Sequence, residues 1–227
     1  IIKVKKKKKN NKTTLCAGNI ATIEAAKFLI KLGVDIVKVG IGPGSICTTR
    51  LVAGIGVPQF TAIIEARKAI KNKSVSIISD GGIKFSGDIA KALAAGADAV
   101  MIGSLFAGTT EAPGKLIKKK GILYKSFRGM GSVGAMNKGS ADRYFQKIQK
   151  DSSKYVPEGV EGLVKFKGNV KKIIYKLTGG LKSSMGYLGS KNIINLRKKP
   201  KFVKITKAGF YESMVHNIDE IKKESKF

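Results

Sequence analysis

The sequence predicts an α/β fold of repeated βα units. Three observations carry that expectation: short apolar runs alternate with amphipathic helical periods, the runs end in glycine-bearing turns, and the composition suffices to bury a core. Of 227 residues, 43% are apolar and only 7% aromatic, which suits one globular domain or most of one.

Thr14 to Ala17 reads as the first strand, and Ala21 to Leu32 as an amphipathic helix that Gly33 stops. Asp35 to Val39 is the second strand, followed by a Gly-rich loop and a helix around Phe60 to Ile70. Val75 to Ile78 is the third strand, running into Asp80-Gly81-Gly82. The helix Ser86 to Ala95 ends at Gly96, and Ala99 to Ile102 is a fourth strand running into Gly103-Ser104. From Gly121 the periodicity lapses, and the polar stretch Lys138 to Glu161 reads as a long connection of the functional or mobile kind. A helix is expected over Val170 to Leu177, then a small-residue segment Gly179 to Gly189, a short helix Lys191 to Leu196 and a polar tail. Four βα units are half of a (β/α)8 barrel, which takes about 250 residues. The expectation is thus a half-barrel that pairs with something or a truncated copy of a longer protein, and a first residue Ile1 rather than Met favours truncation.

No apolar run approaches the roughly 18 residues of a membrane span and no leader pattern is present, so a soluble, cytoplasmic protein with no membrane partner is expected. The formal charge of +29 raises nucleic acid or an anionic surface as partner. Against that, lysines are spread over every segment, the densest run, Lys5 to Lys9, lies at the start, and aromatics do not interleave with them as a stacking platform requires. A solvated surface is the favoured reading, and a phosphate-bearing substrate benefits from the positive field. Cys16 and Cys47 show neither zinc nor disulfide spacing; Cys16, inside a strand, is expected in the core. The lone His216 reads as surface.

Chemistry concentrates in Val37 to Thr49, VKVGIGPGSICTT, where a buried strand enters a three-glycine loop followed by a cysteine. Glycines permit positive φ and close ligand approach, and carbonyls turned inward by such a loop can cage a monovalent cation. Cys47 then stands at the C-terminal mouth of a strand, where barrel enzymes work, although a glycine turn and a buried cysteine are also ordinary features. Gly81-Gly82 and Gly103-Ser104, at consecutive strand ends, suit a phosphate held by backbone N–H groups, and Asp80 suits ribose hydroxyls. Asp80 as a helix cap, Arg143 as a solvated charge and Glu158 as a surface residue are the plainer alternatives.

Val37 to Thr49 resembles the signature shared by IMP dehydrogenases and GMP reductases, and the similarity continues through SDGGIKFSGDIAKALAAGADAVMIGSLFAGTTEAPG to the end of the chain. FRGMGSVGAMNKGSADRYFQ, Phe127 to Gln146, PEGVEG, Pro157 to Gly162, and GGLKSSMGYLGS, Gly179 to Ser190, are similar to the bacterial dehydrogenase form; GMP reductases lack the Arg143-Tyr144 pair. The resemblance implies the C-terminal half of a TIM (β/α)8 barrel, with βα units in 1–120, a mobile flap region in 121–165 and C-terminal helices and tail in 166–227. It also implies that an N-terminal half-barrel and paired CBS domains are absent here.

The activity it implies is oxidation of IMP to XMP with NAD+, the committed step of guanine nucleotide synthesis. Cys47 forms a thioimidate, and Arg143 activates water with Thr49 and Tyr144. Implied substrate contacts are Ser45, Asp80, Gly82, Gly103, Ser104, Phe127, Gly129, Met130, Gly131 and Glu158, with Asn19, Gly40 and Gly42 toward the cofactor. Potassium is expected on carbonyls of Gly42, Gly44 and Cys47, completed by Glu212, Ser213 and Met214 of a neighbour in a homotetramer. Two departures stand out: Phe127 replaces the family's phosphate-touching tyrosine, and Met214 stands where bacterial members tend to have histidine. NADPH-dependent GMP reduction, or an inactive nucleotide-binding fragment, are the rival readings.

Overall fold

A computed structural model describes Ile1, residues 13–70 and residues 74–220; the Lys5 to Lys9 run lies outside the described residues. Strands β1 (Cys16–Ile20), β2 (Ile36–Val39), β3 (Ser76–Asp80) and β4 (Ala99–Met101) form a parallel sheet in the order β1-β2-β3-β4. Parallel neighbours need crossover helices. These are α1 (Ile23–Lys31), α3 (Gln59–Ala69) and α4 (Ser86–Ala94); a short α2 (Thr49–Val52) lies within the β2–α3 connection.

Local chemistry sets the boundaries. Thr22 Oγ1 accepts the Ala25 N–H at 3.2 Å to start α1, and Gly33, at φ 75°, follows its last turn. The Asp88 carboxylate accepts N–H groups of Lys84 and Phe85, each at 3.0 Å, at the start of α4. Strand alternation then sorts side chains by face. Val37, Val39, Ile77 and Ser79 point to the helices and are fully buried, with Ala26, Ile63, Ala66 and Leu93 among the residues packed over them. The opposite face carries Cys16, Ile36, Lys38, Ile78, Asp80, Ala99 and Met101, paired in register across the sheet, and is only partly covered. Cys16 is therefore exposed rather than in the core: its register partner is Ile36, so it shares the open face and not that of Val37.

Beyond α5 (Ser104–Ala107) the chain is more regular than its periodicity suggests. Strands β5 (Leu116–Lys119), β6 (Ile122–Arg128) and β7 (Glu161–Lys165) form an antiparallel sheet in that order. The 121–165 region is thus bracketed by a long-range ladder, Tyr124 opposite Lys165 through Arg128 opposite Glu161. Its strands mix apolar and charged residues on both faces, so they carry no clean alternation signal. Buried Lys125 donates to the carbonyls of Thr109, at 3.0 Å, Thr110, at 3.3 Å, and Ala112, closing the connection from α5. Between β6 and β7 lie a short α6 (Val133–Ala135), a π turn over Met136–Ser140 and 3₁₀ turns over Ala141–Tyr144 and Ser152–Lys154.

The helix expected to end at Leu177 runs on as α7 (Val170–Tyr187). Gly180 there makes a contact rather than a break: a Cβ would collide with the Ser86 side chain, so the glycine lets α7 and α4 approach. Helices α8 (Ile193–Lys198) and α9 (Lys207–Glu212) complete the described chain. No described helix is long and apolar enough to cross a membrane.

Candidate active site

The parallel strands deliver their C-terminal turns to one end of the sheet, around a cavity of about 290 Å³. The β2 turn is shaped by its glycines. Gly40 has φ 149°, and a Cβ there would run into the Asp80 carbonyl; Gly81 has φ 92° and lies against Pro43, 2.9 Å from where its Cβ would sit. The cysteine loop therefore seats directly on the β3 turn. Cys47 Sγ donates to Thr49 Oγ1 at 3.2 Å, and both residues are half-buried.

That loop is stitched to the chain's other half. Thr48 N–H donates to the Glu158 carbonyl at 2.9 Å, Val160 N–H to Ile46 at 3.0 Å, and Cys47 pairs with Gly159 as an isolated antiparallel bridge. Glu158 N–H donates to the Gly131 carbonyl at 2.9 Å, and Gly129 N–H donates to the Val160 carbonyl at 3.0 Å. A Cβ on Gly131 would press on Tyr144 and Glu158, so glycine there lets those two residues pack against its turn.

Arg143 and Tyr144 close the 3₁₀ turn above this layer. Arg143 Nη2 donates to Asn19 Oδ1 at 3.1 Å, across 124 positions of sequence. Asn19 Nδ2 in turn donates to the Gly40 carbonyl at 2.8 Å and to Asp80 Oδ2 at 2.9 Å, where Lys38 Nζ also lies at 2.9 Å. Burial pushes the Tyr144 phenol up; the Arg143 guanidinium opposes this and Cys47 adds to it, leaving the phenol above the usual tyrosine range.

Asn19, Gly40, Gly42, Gly44, Ser45, Cys47, Asp80, Gly82, Gly103, Ser104, Phe127, Gly129, Met130, Gly131, Arg143, Tyr144 and Glu158 all line this cavity, and Thr49 is held behind Cys47. Glu212, Ser213 and Met214 do not; they close α9 away from its walls. Within this chain the Gly44 carbonyl accepts the Cys47 N–H at 3.2 Å, and the described residues contain no cluster of three or more His, Cys, Asp or Glu. The carbonyl turn offers oxygen donors of the kind a potassium ion takes, but not a complete shell. Gly81, read from the sequence as part of a phosphate-holding turn, lines the cavity too; Pro43, Ile46, Ile83, Met101, Ile102, Arg128 and Gly159 also line it, and sequence reasoning did not single them out as site residues. Strand-end position could have flagged Met101 and Ile102; nothing local flags Gly159, which arrives through its bridge to Cys47. Lys38 was equally unmarked, since a lysine inside an apolar strand shows its role only once Asp80 is opposite.

The chain is similar to curated proteins over nearly its whole length. Identity is 56% over 214 residues with the inosine-5'-monophosphate dehydrogenase of Chlorobaculum parvum, covering 93% of this chain and 43% of the relative. It is 59% over 210 residues with that of Methanocaldococcus jannaschii, covering 90% and 42%, and 56% over 211 residues with that of Bacillus subtilis, covering 93% and 42%. The chain thus spans under half the length of these relatives. Residues 1–216 match the IMP dehydrogenase / GMP reductase domain, and with the cysteine turn, strand-end glycines and residues between β6 and β7 gathered at one cavity, the chain belongs to that family.

Proposed function

We propose that this chain is the nucleotide-binding and covalent-catalysis half of an NAD-dependent enzyme that oxidises IMP to XMP. The observation that carries the reading is the Cys47 sulfur at a cavity walled by strand-end turns on one side and by Arg143 and Tyr144 on the other. The likeness to proteins named inosine-5'-monophosphate dehydrogenase supports it. The chain is, on this reading, the C-terminal half of a (β/α)8 barrel: βα units in 1–120, a mobile flap in 121–165 and a C-terminal segment in 166–227. Its four-stranded parallel sheet with one face open, and its 42–43% share of the relatives' length, favour that assignment.

In the reaction, backbone N–H groups at Gly82, Gly103 and Ser104, with Ser45, bind the phosphate, while Asp80 accepts from the ribose hydroxyls. Met130, Gly131 and Glu158 border the base. Cys47, as thiolate, attacks C2 of the purine; the C2–H bond breaks and Cys47 is left in a thioimidate. NAD+, when bound, supplies the acceptor for the hydride that leaves C2. Arg143, aided by Thr49 and Tyr144, then activates a water for attack on C2 and takes up its proton, and the C–S bond breaks to release XMP and the Cys47 thiolate. A guanidinium is a weak base in water, so Arg143 must act through position and desolvation. Asn19, Gly40 and Gly42 face the cofactor side, but Asn19 Oδ1 is already held by Arg143, so cofactor and closed flap occupy that side in turn. The Gly42, Gly44 and Cys47 carbonyls are three donors for potassium; Glu212, Ser213 and Met214 of a neighbouring copy in a tetramer would add the rest.

The test is mass spectrometry of the full-length protein after 6-chloropurine ribotide, with NADH formation from IMP and NAD+ followed in parallel. Arylation at Cys47 with turnover supports the reading; arylation elsewhere, or none, overturns it. GMP with NADPH, run alongside, separates the reductase, whose pattern lacks the Arg143-Tyr144 pair.

A further inference from the structure

We propose that Asn19 is a positioning residue: it fixes the closed flap by holding the Arg143 guanidinium on its side-chain oxygen while its amide nitrogen is anchored to the Asp80 carboxylate. The proposal rests on the reading above and adds a residue role to it. A register shift between Gly18 and Ile20 interrupts β1 at Asn19, and such bulges re-aim a side chain at the end of a strand.

The Asn19 amide has only one workable orientation. Its Nδ2 faces two acceptors, the Gly40 carbonyl at 2.8 Å and Asp80 Oδ2 at 2.9 Å, which uses both N–H donors and turns Oδ1 to the cavity as an acceptor. Arg143 Nη2 meets that oxygen at 3.1 Å. Lys38 Nζ, at 2.9 Å from the same Asp80 Oδ2, offsets the carboxylate charge and pins it. Donors from both Lys38 and Asn19 converge on Oδ2, so Oδ1 remains for the nucleotide. The chain Lys38, Asp80, Asn19, Arg143 thus links the sugar-binding carboxylate to the flap through one neutral amide. A rigid amide suits this task, since it accepts from the arginine without competing for its proton.

The consequence is a split between chemical steps. In the full-length protein, Asn19→Ala is expected, at saturating NAD+, to slow hydrolysis of the Cys47 adduct more than its formation, since Asn19 also faces the cofactor side. Steady-state turnover falls about 10- to 100-fold, the scale for losing a hydrogen bond to a charged group, and the Cys47 adduct accumulates in the mass spectrum. Limited trypsin cleavage at the exposed flap residues Lys147, Lys150 and Lys154 supplies a readout that needs no activity, and it is expected to speed up in Asn19→Ala at unchanged melting temperature. Equal flap cleavage in wild type and Asn19→Ala overturns the proposal, as does a Cys47 adduct that accumulates no more in Asn19→Ala than in wild type. Wild-type protein that makes no NADH from IMP overturns the functional reading instead, and the cleavage comparison still decides the role of Asn19.

Discussion

Phe127 and Tyr144 are the side chains whose chemistry at the cavity can be altered with the least disturbance. Phe127 lies on β6 opposite Gly162, half-buried and lining the cavity. Phe127→Tyr adds only an oxygen at the ring tip, so the fold tolerates it. Its expected effect is a lower nucleotide KM by about 5-fold, equivalent to one added hydrogen bond of about 1 kcal/mol, with kcat little changed. Initial-rate kinetics check this, and an unchanged KM means that the ring edge does not face the phosphate. Tyr144 is held neutral: its pKa is raised, so the phenol keeps its proton throughout the neutral range and up to at least its ordinary value near 10. Tyr144→Phe is therefore expected to slow turnover without shifting the pH profile below about pH 9. A new titration in that range for the wild type, lost in the variant, would contradict the buried-phenol picture.

Helices and strands are joined most tightly at Asp98, just before β4. Its carboxylate accepts the Ile77 N–H at 2.8 Å, Arg67 Nη2 at 2.9 Å and Arg197 Nη2 at 2.7 Å, tying β3, α3 and α8 to one point. Burial works to raise its pKa, but the Ile77 N–H and the two guanidinium groups outweigh it, and the net shift is downward. A carboxylate with a depressed folded pKa contributes stability that is present above its ordinary value near 4 and is lost as pH falls through the folded value. Asp98→Asn is expected to cost about 1–3 kcal/mol at neutral pH and to flatten the acid limb below about pH 4, measured by denaturant melts. This joint was invisible in the sequence because its members are far apart in it. The βα units were legible because a parallel strand buries one face under its own crossover helix, which imprints local periodicity on Val37, Val39 and Ile77. The β5–β7 sheet left no such trace: Lys125 at its centre is buried by three carbonyls rather than by apolar neighbours. The cavity was legible at its glycines and at Cys47, and illegible at Lys38, whose partner Asp80 lies in another strand.

At the scale of the whole molecule, the two faces of the parallel sheet have different fates. One is sealed by α1, α3 and α4; the other leaves Cys16 and Met101 exposed, with β1 and β4 as its edges. Sheet edges and open apolar faces are sites of association, and a sheet of parallel strands is stable when both faces are covered. The half-barrel reading says what covers this face: the remaining strands of a barrel, whose packed interior would take in Cys16 together with Ile36, Ile78 and Met101. Cys16 is thereby a reporter. In the 227-residue chain alone, a small alkylating reagent is expected to label both Cys16 and Cys47. In the full-length protein, Cys16 is expected to be protected by at least about 100-fold in rate while Cys47 stays reactive, because labelling a buried thiol requires an opening step. Peptide mapping of a timed alkylation reads both sites at once. Equal labelling of Cys16 in the two forms would mean that the open face stays open, and the barrel assignment would fail while the Cys47 cavity stood unaffected.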